Sequence, residues 1–429
     1  MRRRLAEARP SAESRPLTGP RLLVFSSLFP SATRPTAGVF IRERMFRVAA
    51  QLPLIVLSPQ PWFPGQSLIR LLRPGYRPPA PRYEEQQGVD VYFPRFFALP
   101  GLLRTLDGWS MALCSYFLAR RLTRRYPIGL IDAHFTYPDG AAAIHLGRWL
   151  GLPVTITMRG TEVPHSRQPQ LRPRLVHALS AAARVFSVSD SLRQLALSLG
   201  ASASKTEVVG NGIDLQRFHP VDKQTARQKL GLAQSAKLLI SVGGLVERKG
   251  MHRVIECLPL LLEQHPELHY LIVGSGGAEG NVRAELDAQV ARLGLADRVH
   301  FLGALAPDEL KWPLSASDVF VLATRNEGWA NVFLEAMACG LPVVTTDVGG
   351  NREVVCHAEL GSVVPFADSA ALQHALASAL AKHWDRDAIL AYAHDNQWDK
   401  RVAQLVRVFN QLLAPKSASL PVEKAAANQ

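Results

Sequence analysis

Cysteine is scarce: four in 429 residues, Cys114, Cys257, Cys339 and Cys356, with no Cys-x-x-Cys pair. Their spacing excludes a disulfide scaffold and a thiolate zinc cluster, and reads as the buried, reduced thiols of a cytoplasmic protein. No apolar run approaches the roughly 18 residues that span a bilayer. Arg2-Arg3-Arg4 precedes no apolar segment, so no secretory signal is expected. No Ser-His-Asp set and no Gly-x-Ser-x-Gly stands out for nucleophilic acyl transfer. The one Asp-x-Asp, Asp385-Arg386-Asp387, lies in a late helical stretch far from the other acidic candidates, so no metal is expected. The second half also lacks net charge. Residues 1–214 carry 28 Lys+Arg against 13 Asp+Glu, whereas residues 215–429 carry 21 against 23. The basic half suits an anionic partner (a membrane surface, lipid phosphate or nucleic acid) or is a solvated basic face.

At this length two domains are expected. Short β-rich runs alternate with helical patterns: Leu22–Phe25, Leu54–Leu57, Val89–Phe93, Leu130–Ala133, Val154–Thr157 and Val185–Val188, then Val208–Val209, Leu238–Val242, Leu268–Val273, Val299–Leu302, Val319–Leu322, Val343–Thr346 and Ser362–Val364. Apolar strands without alternation, each followed by a helix, indicate parallel sheets covered on both faces. The fold class is α/β, two doubly wound domains that break near Gly210-Asn211-Gly212 and bind ligand at the strand ends between them. Residues 60–88, rich in Pro, Gly and Arg, read as a long mobile insertion. Residues 1–20 and 415–429 read as disordered.

The most telling segment runs from Thr324 to Val344. Glu327 sits in a turn beside Gly328, Asn331 is placed as a helix cap, and Glu335 lies one turn into the helix that Gly340 and Pro342 end. A helix start attracts phosphate through free N–H groups and the macrodipole. Two carboxylates beside it need another task, and accepting hydrogen bonds from sugar hydroxyls is that task, so a sugar nucleotide is the expected ligand. The run from Gly243 to Gly250 places Arg248 and Lys249 after a strand, where Lys supplies a point charge for phosphate. His134 follows the strand Leu130–Ala133 and is expected to face the cleft, with Arg159 and Glu162 as further cleft candidates after the next strand. Gly38 precedes another helix start. In 102–125, Leu103, Leu106, Leu113 and Phe117 share one stretch with five arginines, which suits either contact with anionic lipid or an ordinary helix ending in basic residues.

Together these motifs resemble the retaining glycosyltransferases of family 4, which have the GT-B architecture. The segments that carry the likeness are 242–250, Leu271–Gly276, Val299–Gly303, Ser317–Leu322, the Glu327/Glu335 segment and Thr345–Val355. The resemblance covers about residues 20–413. It implies two Rossmann-like domains facing a cleft: an acceptor-binding domain at 21–207, a nucleotide-sugar-binding domain at 208–394, and a C-terminal helix at 395–414 returning to the first domain. It implies that Glu327 receives donor-sugar hydroxyls and Glu335 ribose hydroxyls. Backbone N–H groups of Gly328, Trp329, Ala330, Asn331 and Val332 would face the diphosphate, as would Gly38, Gly243, Arg248 and Lys249. His134 would lie near the reacting sugar. The family commonly carries Arg where this chain has Gly244.

The expected activity is therefore metal-independent hexosyl transfer without a cofactor, from a UDP- or GDP-sugar to a lipid-linked or saccharide acceptor in cell-surface polysaccharide synthesis. It would take place in the cytoplasm, with peripheral contact at the inner membrane face. A sugar-nucleotide epimerase of the same architecture and a non-catalytic homologue are the alternatives. No helix-turn-helix, zinc-finger or RNA-recognition signature supports a nucleic-acid partner.

Overall fold

The computed structural model describes residues 19–73, 76–277 and 280–414. The tail expected to be disordered at 415–429 lies outside these residues, as does the extension at 1–20 apart from its last two positions.

The first half forms β1 (Arg21–Phe25), β2 (Leu54–Leu57), β3 (Gln60–Trp62), β4 (Tyr83–Gln86), β5 (Val89–Tyr92), β6 (Arg95–Phe97), β7 (Ile128–His134), β8 (Val154–Met158), β9 (Arg184–Ser187) and β10 (Thr206–Val208). The main sheet has the order β10-β9-β8-β7-β1-β2-β5-β4, and β3 pairs with β6 in a separate ribbon. Its strands run parallel except at the β4–β5 edge. The second half forms β11 (Lys237–Val242), β12 (Leu268–Val273), β13 (Val299–Gly303), β14 (Val319–Leu322), β15 (Val343–Thr346) and β16 (Gly361–Val364), in the order β13-β12-β11-β14-β15-β16. All pairings in this sheet are parallel.

The alternating directions of the β1 side chains explain why its strand carries no polar face. Leu23 and Phe25 enter one hydrophobic cluster, and Leu22 and Val24 enter another on the opposite side. The second cluster is completed from far along the chain. Trp398, Val402, Leu405, Val408 and Phe409 of the helix Trp398–Leu413 pack into it, so the C-terminal helix returns to the first sheet. Gly212 makes this crossing close: a Cβ there would stand 2.6 Å from the backbone of Trp398.

Three expectations are corrected. The run at Val208–Val209 does not open the second half; Thr206–Val208 pairs with β9 as the edge of the first sheet. Residues 60–88 are not a bare insertion but carry β3, the helix Gln66–Leu72 and β4. Only Cys257 and Cys339 are buried, whereas Cys114 and Cys356 are exposed, and all four are free thiols. No helix among the described residues is long and apolar enough to cross a membrane.

Candidate active site

Neighbouring strands diverge at two switch points: β7 and β1 in the first sheet, β11 and β14 in the second. The loops after these strands enclose a cleft of about 680 Å³ between the sheets.

On the second-sheet side, β11 leads into a single 3-10 turn, Glu247–Lys249. Gly250 closes it at a φ of 77°, and a Cβ there would meet the carbonyl oxygen of Ala323 at 1.9 Å. Glycine therefore lets the turn sit against the end of β14, which places Lys249 beside the loop carrying Glu327. Lys249 Nζ donates to Glu327 Oε1 at 2.7 Å, Arg248 Nη1 at 3.2 Å and Thr324 Oγ1 at 3.2 Å. Only 10% of the Glu327 side chain is exposed, so these charge-assisted bonds hold it in one position.

Next comes the helix Asn331–Ala338. Asn331 is not its cap. Ala330 occupies that position, no side chain caps the helix, and the Asn331 amide oxygen instead accepts from Asn211 Nδ2 at 2.8 Å. The first N–H groups are thus left without a side-chain partner where Trp329, Ala330, Asn331 and Val332 line the cleft. Glu335, one turn on, is partly exposed. Burial raises its carboxyl to about 7, against the opposing pull of Arg217 and Lys249.

The first-sheet wall is a buried polar chain. Arg159 donates from Nε and Nη2 to His134 Nδ1 at 3.2 and 3.1 Å and from Nη1 to Asn211 Oδ1 at 3.3 Å, while its guanidinium lies over the Phe40 ring. Asn211 also receives Arg44, whose Nη2 donates to Oδ1 at 2.9 Å. The hydrogen bonds to Nδ1 place the His134 proton on Nε2, which lies 3.4 Å from Asp132 Oδ2 without a hydrogen bond to it. Burial first, then Arg159 and Arg44, push the His134 pKa well below its usual value, so the ring is neutral. Burial likewise lowers Arg159, and it brings Arg44 down to about 10.

The structure brings Arg159, Arg248, Lys249, Glu327, Gly328 and residues 329–332 to one cleft. Other candidates stand back from it. His134 was expected beyond its strand, but β7 runs through it; paired with Thr157 it is fully buried, and Phe135 lines the cleft instead. Glu162 does not face the cleft either. Its Oε1 accepts from Thr136 N and Oγ1, and its Oε2 from the N–H groups of Arg159 and Gly160, so it clamps two loops together. Gly38, Gly243 and Glu335 are not among the residues that line the cleft. Gly38 lets the helix Val39–Ala49 start against Leu28, whose carbonyl oxygen would be 2.3 Å from a Cβ. Gly243 lies along the Lys249 stem. Gly244 has open space, its nearest neighbour for a Cβ being Ser275 O at 3.8 Å. Sequence reading missed Phe40, Phe135 and Asn211 as cleft residues. Only Asn211 carried a signal, a polar side chain between two turn glycines. Among the described residues no group of three or more His, Cys, Asp or Glu is placed to hold a metal.

Residues 222–395 match the family described as Glycosyl transferases group 1, and residues 69–217 match Glycosyltransferase Family 4. A putative teichuronic acid biosynthesis glycosyltransferase, TuaC of Bacillus subtilis, is 29% identical over 392 residues, covering 89% of this chain and 92% of that protein. A D-inositol 3-phosphate glycosyltransferase of Geodermatophilus obscurus is 33% identical over 234 residues, 52% of this chain and 51% of its own length. Among solved structures, sucrose-phosphate synthase of Thermosynechococcus elongatus superposes with a TM-score of 0.72 at 22% identity, over 92% of this chain and all of that one. HepE of Anabaena in complex with UDP-glucose does so with 0.65 at 20% identity, over 91% of this chain and 99% of that one. At such identities the superpositions speak for the fold alone. With two parallel sheets facing one cleft and both family patterns in chain order, this chain belongs to glycosyltransferase family 4 and has the GT-B fold.

Proposed function

We propose that the protein is a metal-independent, retaining hexosyltransferase that uses a UDP- or GDP-sugar and a lipid-linked or saccharide acceptor in cell-surface polysaccharide synthesis. The observation that carries this reading is Glu327, fixed by Lys249 and Arg248 beside a helix start without a side-chain cap. A diphosphate fits the N–H groups of residues 330–332 and the two cations, and Glu327 then offers its oxygens to sugar hydroxyls. HepE has been crystallised with UDP and with UDP-glucose, and TuaC is named for teichuronic acid, which supports the donor and pathway classes.

In the proposed reaction the bond from the anomeric carbon to the diphosphate oxygen breaks as the acceptor oxygen bonds to the same face. The acceptor's proton passes to the departing phosphate, and Lys249, Arg248 and the helix start stabilise the charge that develops there. Glu327 is the carboxylate among the cleft-lining residues, and its hydrogen bonds to cations suit binding rather than nucleophilic attack. His134 is a positioning residue in this scheme, since its neutral ring orients Arg159. Closure of the cleft keeps water from the donor.

The test is nucleotide release from a panel of UDP- and GDP-sugars with and without acceptor. Release that depends on acceptor, withstands chelator and keeps the anomeric configuration is expected. Formation of an epimer from donor alone would replace transfer with isomerisation. Peripheral membrane contact belongs to the same reading. The helix Asp107–Arg125 leaves Trp109, Leu113 and Phe117 exposed, with Arg120, Arg121, Arg124 and Arg125 beyond them.

A further inference from the structure

Outside the cleft, the segment between β2 and β5 builds a second site together with Arg34, ahead of β2, and Arg95 of β6. Arg34, Arg70, Arg77 and Arg95 converge on one pocket walled by Trp62 and Phe93. Among the described residues no ion pair joins any of the four to a carboxylate. Arg70 donates to the carbonyl oxygens of Tyr76 and Arg77 and so holds the turn that carries Arg77. Asp107 faces Arg104 and Arg77 from the neighbouring helix, and burial raises its carboxyl to about 6. Gln66 also lines the pocket. It is 3% exposed, and the oxygen end of its amide is buried without a partner. The amide can turn its NH2 inward.

Four guanidiniums gathered in this way repel one another, and Arg34 is lowered first by burial and then by Arg77. An oxyanion in the pocket removes that repulsion, and forked donors match phosphate oxygens. The enclosed space is small, about 30 Å³. None of its lining residues lines the cleft, so the site is distinct from it.

The surroundings identify the source of the phosphate. The helix Gln66–Leu72 leaves Leu68, Leu71 and Leu72 at 66, 79 and 88% exposure. β3 pairs with β6, on which the helix Asp107–Arg125 packs through Ser110 Oγ to Phe97 O, and Leu102, Leu103 and Leu106, between β6 and that helix, are exposed as well. Leucines that enter the acyl boundary while arginines stay at phosphate depth are the arrangement of an interfacial anchor. We propose that the pocket of Arg34, Arg70, Arg77 and Arg95 binds the terminal phosphate of a membrane lipid, with Leu68, Leu71 and Leu72 inserted beside it. This rests on the peripheral-membrane part of the proposed function and adds a headgroup site to it.

The test is flotation of the full chain with phosphatidylcholine vesicles containing either phosphatidic acid or phosphatidylserine, matched in surface charge. A preference for phosphatidic acid is expected. R77Q/R95Q should abolish that preference and lower partitioning about fivefold per arginine. R120Q/R121Q should lower binding to both vesicles alike, because those arginines act through diffuse charge. L71S/L72S, at exposed positions, should lose vesicle binding while keeping calorimetric binding of inorganic phosphate. Equal binding to the two lipids, or an unchanged preference in R77Q/R95Q, overturns the site. Binding of inorganic phosphate without any vesicle binding overturns the lipid source. Nucleotide-sugar binding, measured in parallel, should be the same in R77Q/R95Q and in the parent chain. Its absence from both would remove the proposed donor and leave the lipid result standing.

Discussion

Glu327 and Lys249 lie 78 positions apart in sequence, and the 2.7 Å bond between them is the central contact of the site. Removing the carboxylate frees Lys249 and Arg248 from their shared partner and takes away the expected sugar acceptor. Glu327→Ala should lower kcat/KM about 10²–10³-fold, the range for losing one preorganised charge contact, with an unchanged circular dichroism spectrum; near-normal turnover would remove Glu327 from the donor site. Glu335 gives a prediction in pH. Its folded-state carboxyl is raised to about 7, so the native state holds a proton that the unfolded chain releases at lower pH. Its contribution to stability is complete below the unfolded value and is lost as pH rises through about 7. Glu335→Gln should therefore gain in Tm over the parent chain between pH 5 and 8. If Glu335 receives the ribose of the proposed donor, the ionised carboxylate is the stronger acceptor for its hydroxyls, and donor affinity of the parent, measured by calorimetry, should rise over the same interval. His134 shows where reading residue by residue stops. One further residue of β7 turned an expected cleft histidine into a buried partner of Arg159.

The parallel strands of the two main sheets were legible as elements because both faces of each sheet are covered, leaving apolar runs without alternation, whereas the parallel ribbon of β3 and β6 was not. The antiparallel β4 was not, since Tyr83–Gln86 carries Glu84 and Glu85 at an exposed edge. The loops depend on contacts that no local pattern encodes. A Cβ on Gly328 would meet the carbonyl oxygen of Arg159 at 2.3 Å, and one on Gly349 would meet that of Glu327 at 1.7 Å. Glycine at these places lets the loop after β14 pass between backbone from both sheets. Gly328→Ala should push the Glu327 loop off the first-sheet wall and lower kcat/KM at least tenfold through misplaced donor contacts. Equal kinetics in Gly328→Ala would show that the loop has slack. Gly244→Ala, where a Cβ has open space, should leave both kinetics and Tm near the parent values.

For the molecule as a whole, the C-terminal helix ties the chain's end to its beginning. Phe409 is fully buried and meets Phe186 of β9 edge to face. Phe409→Ala should lower stability by about 3–5 kcal/mol, read as a shift in the urea midpoint; a shift below about 1 kcal/mol would mean that the helix docks weakly. The halves also meet through Arg47 with Asp214 and Arg217 with Glu43, and Glu353 of the second half accepts from the N–H groups of Asp190 and Ser191 in the first. By itself the sequence determined the α/β class, nearly every strand of the two main parallel sheets and the helix that carries Glu335, because hydrophobic burial and helix stops act over a few neighbouring residues. Only the tertiary structure decided which candidates share the cleft. Arg159, Asn211, Lys249 and Glu327 meet because two sheets bring their switch points together, and the same packing buries His134 and Glu162 behind them.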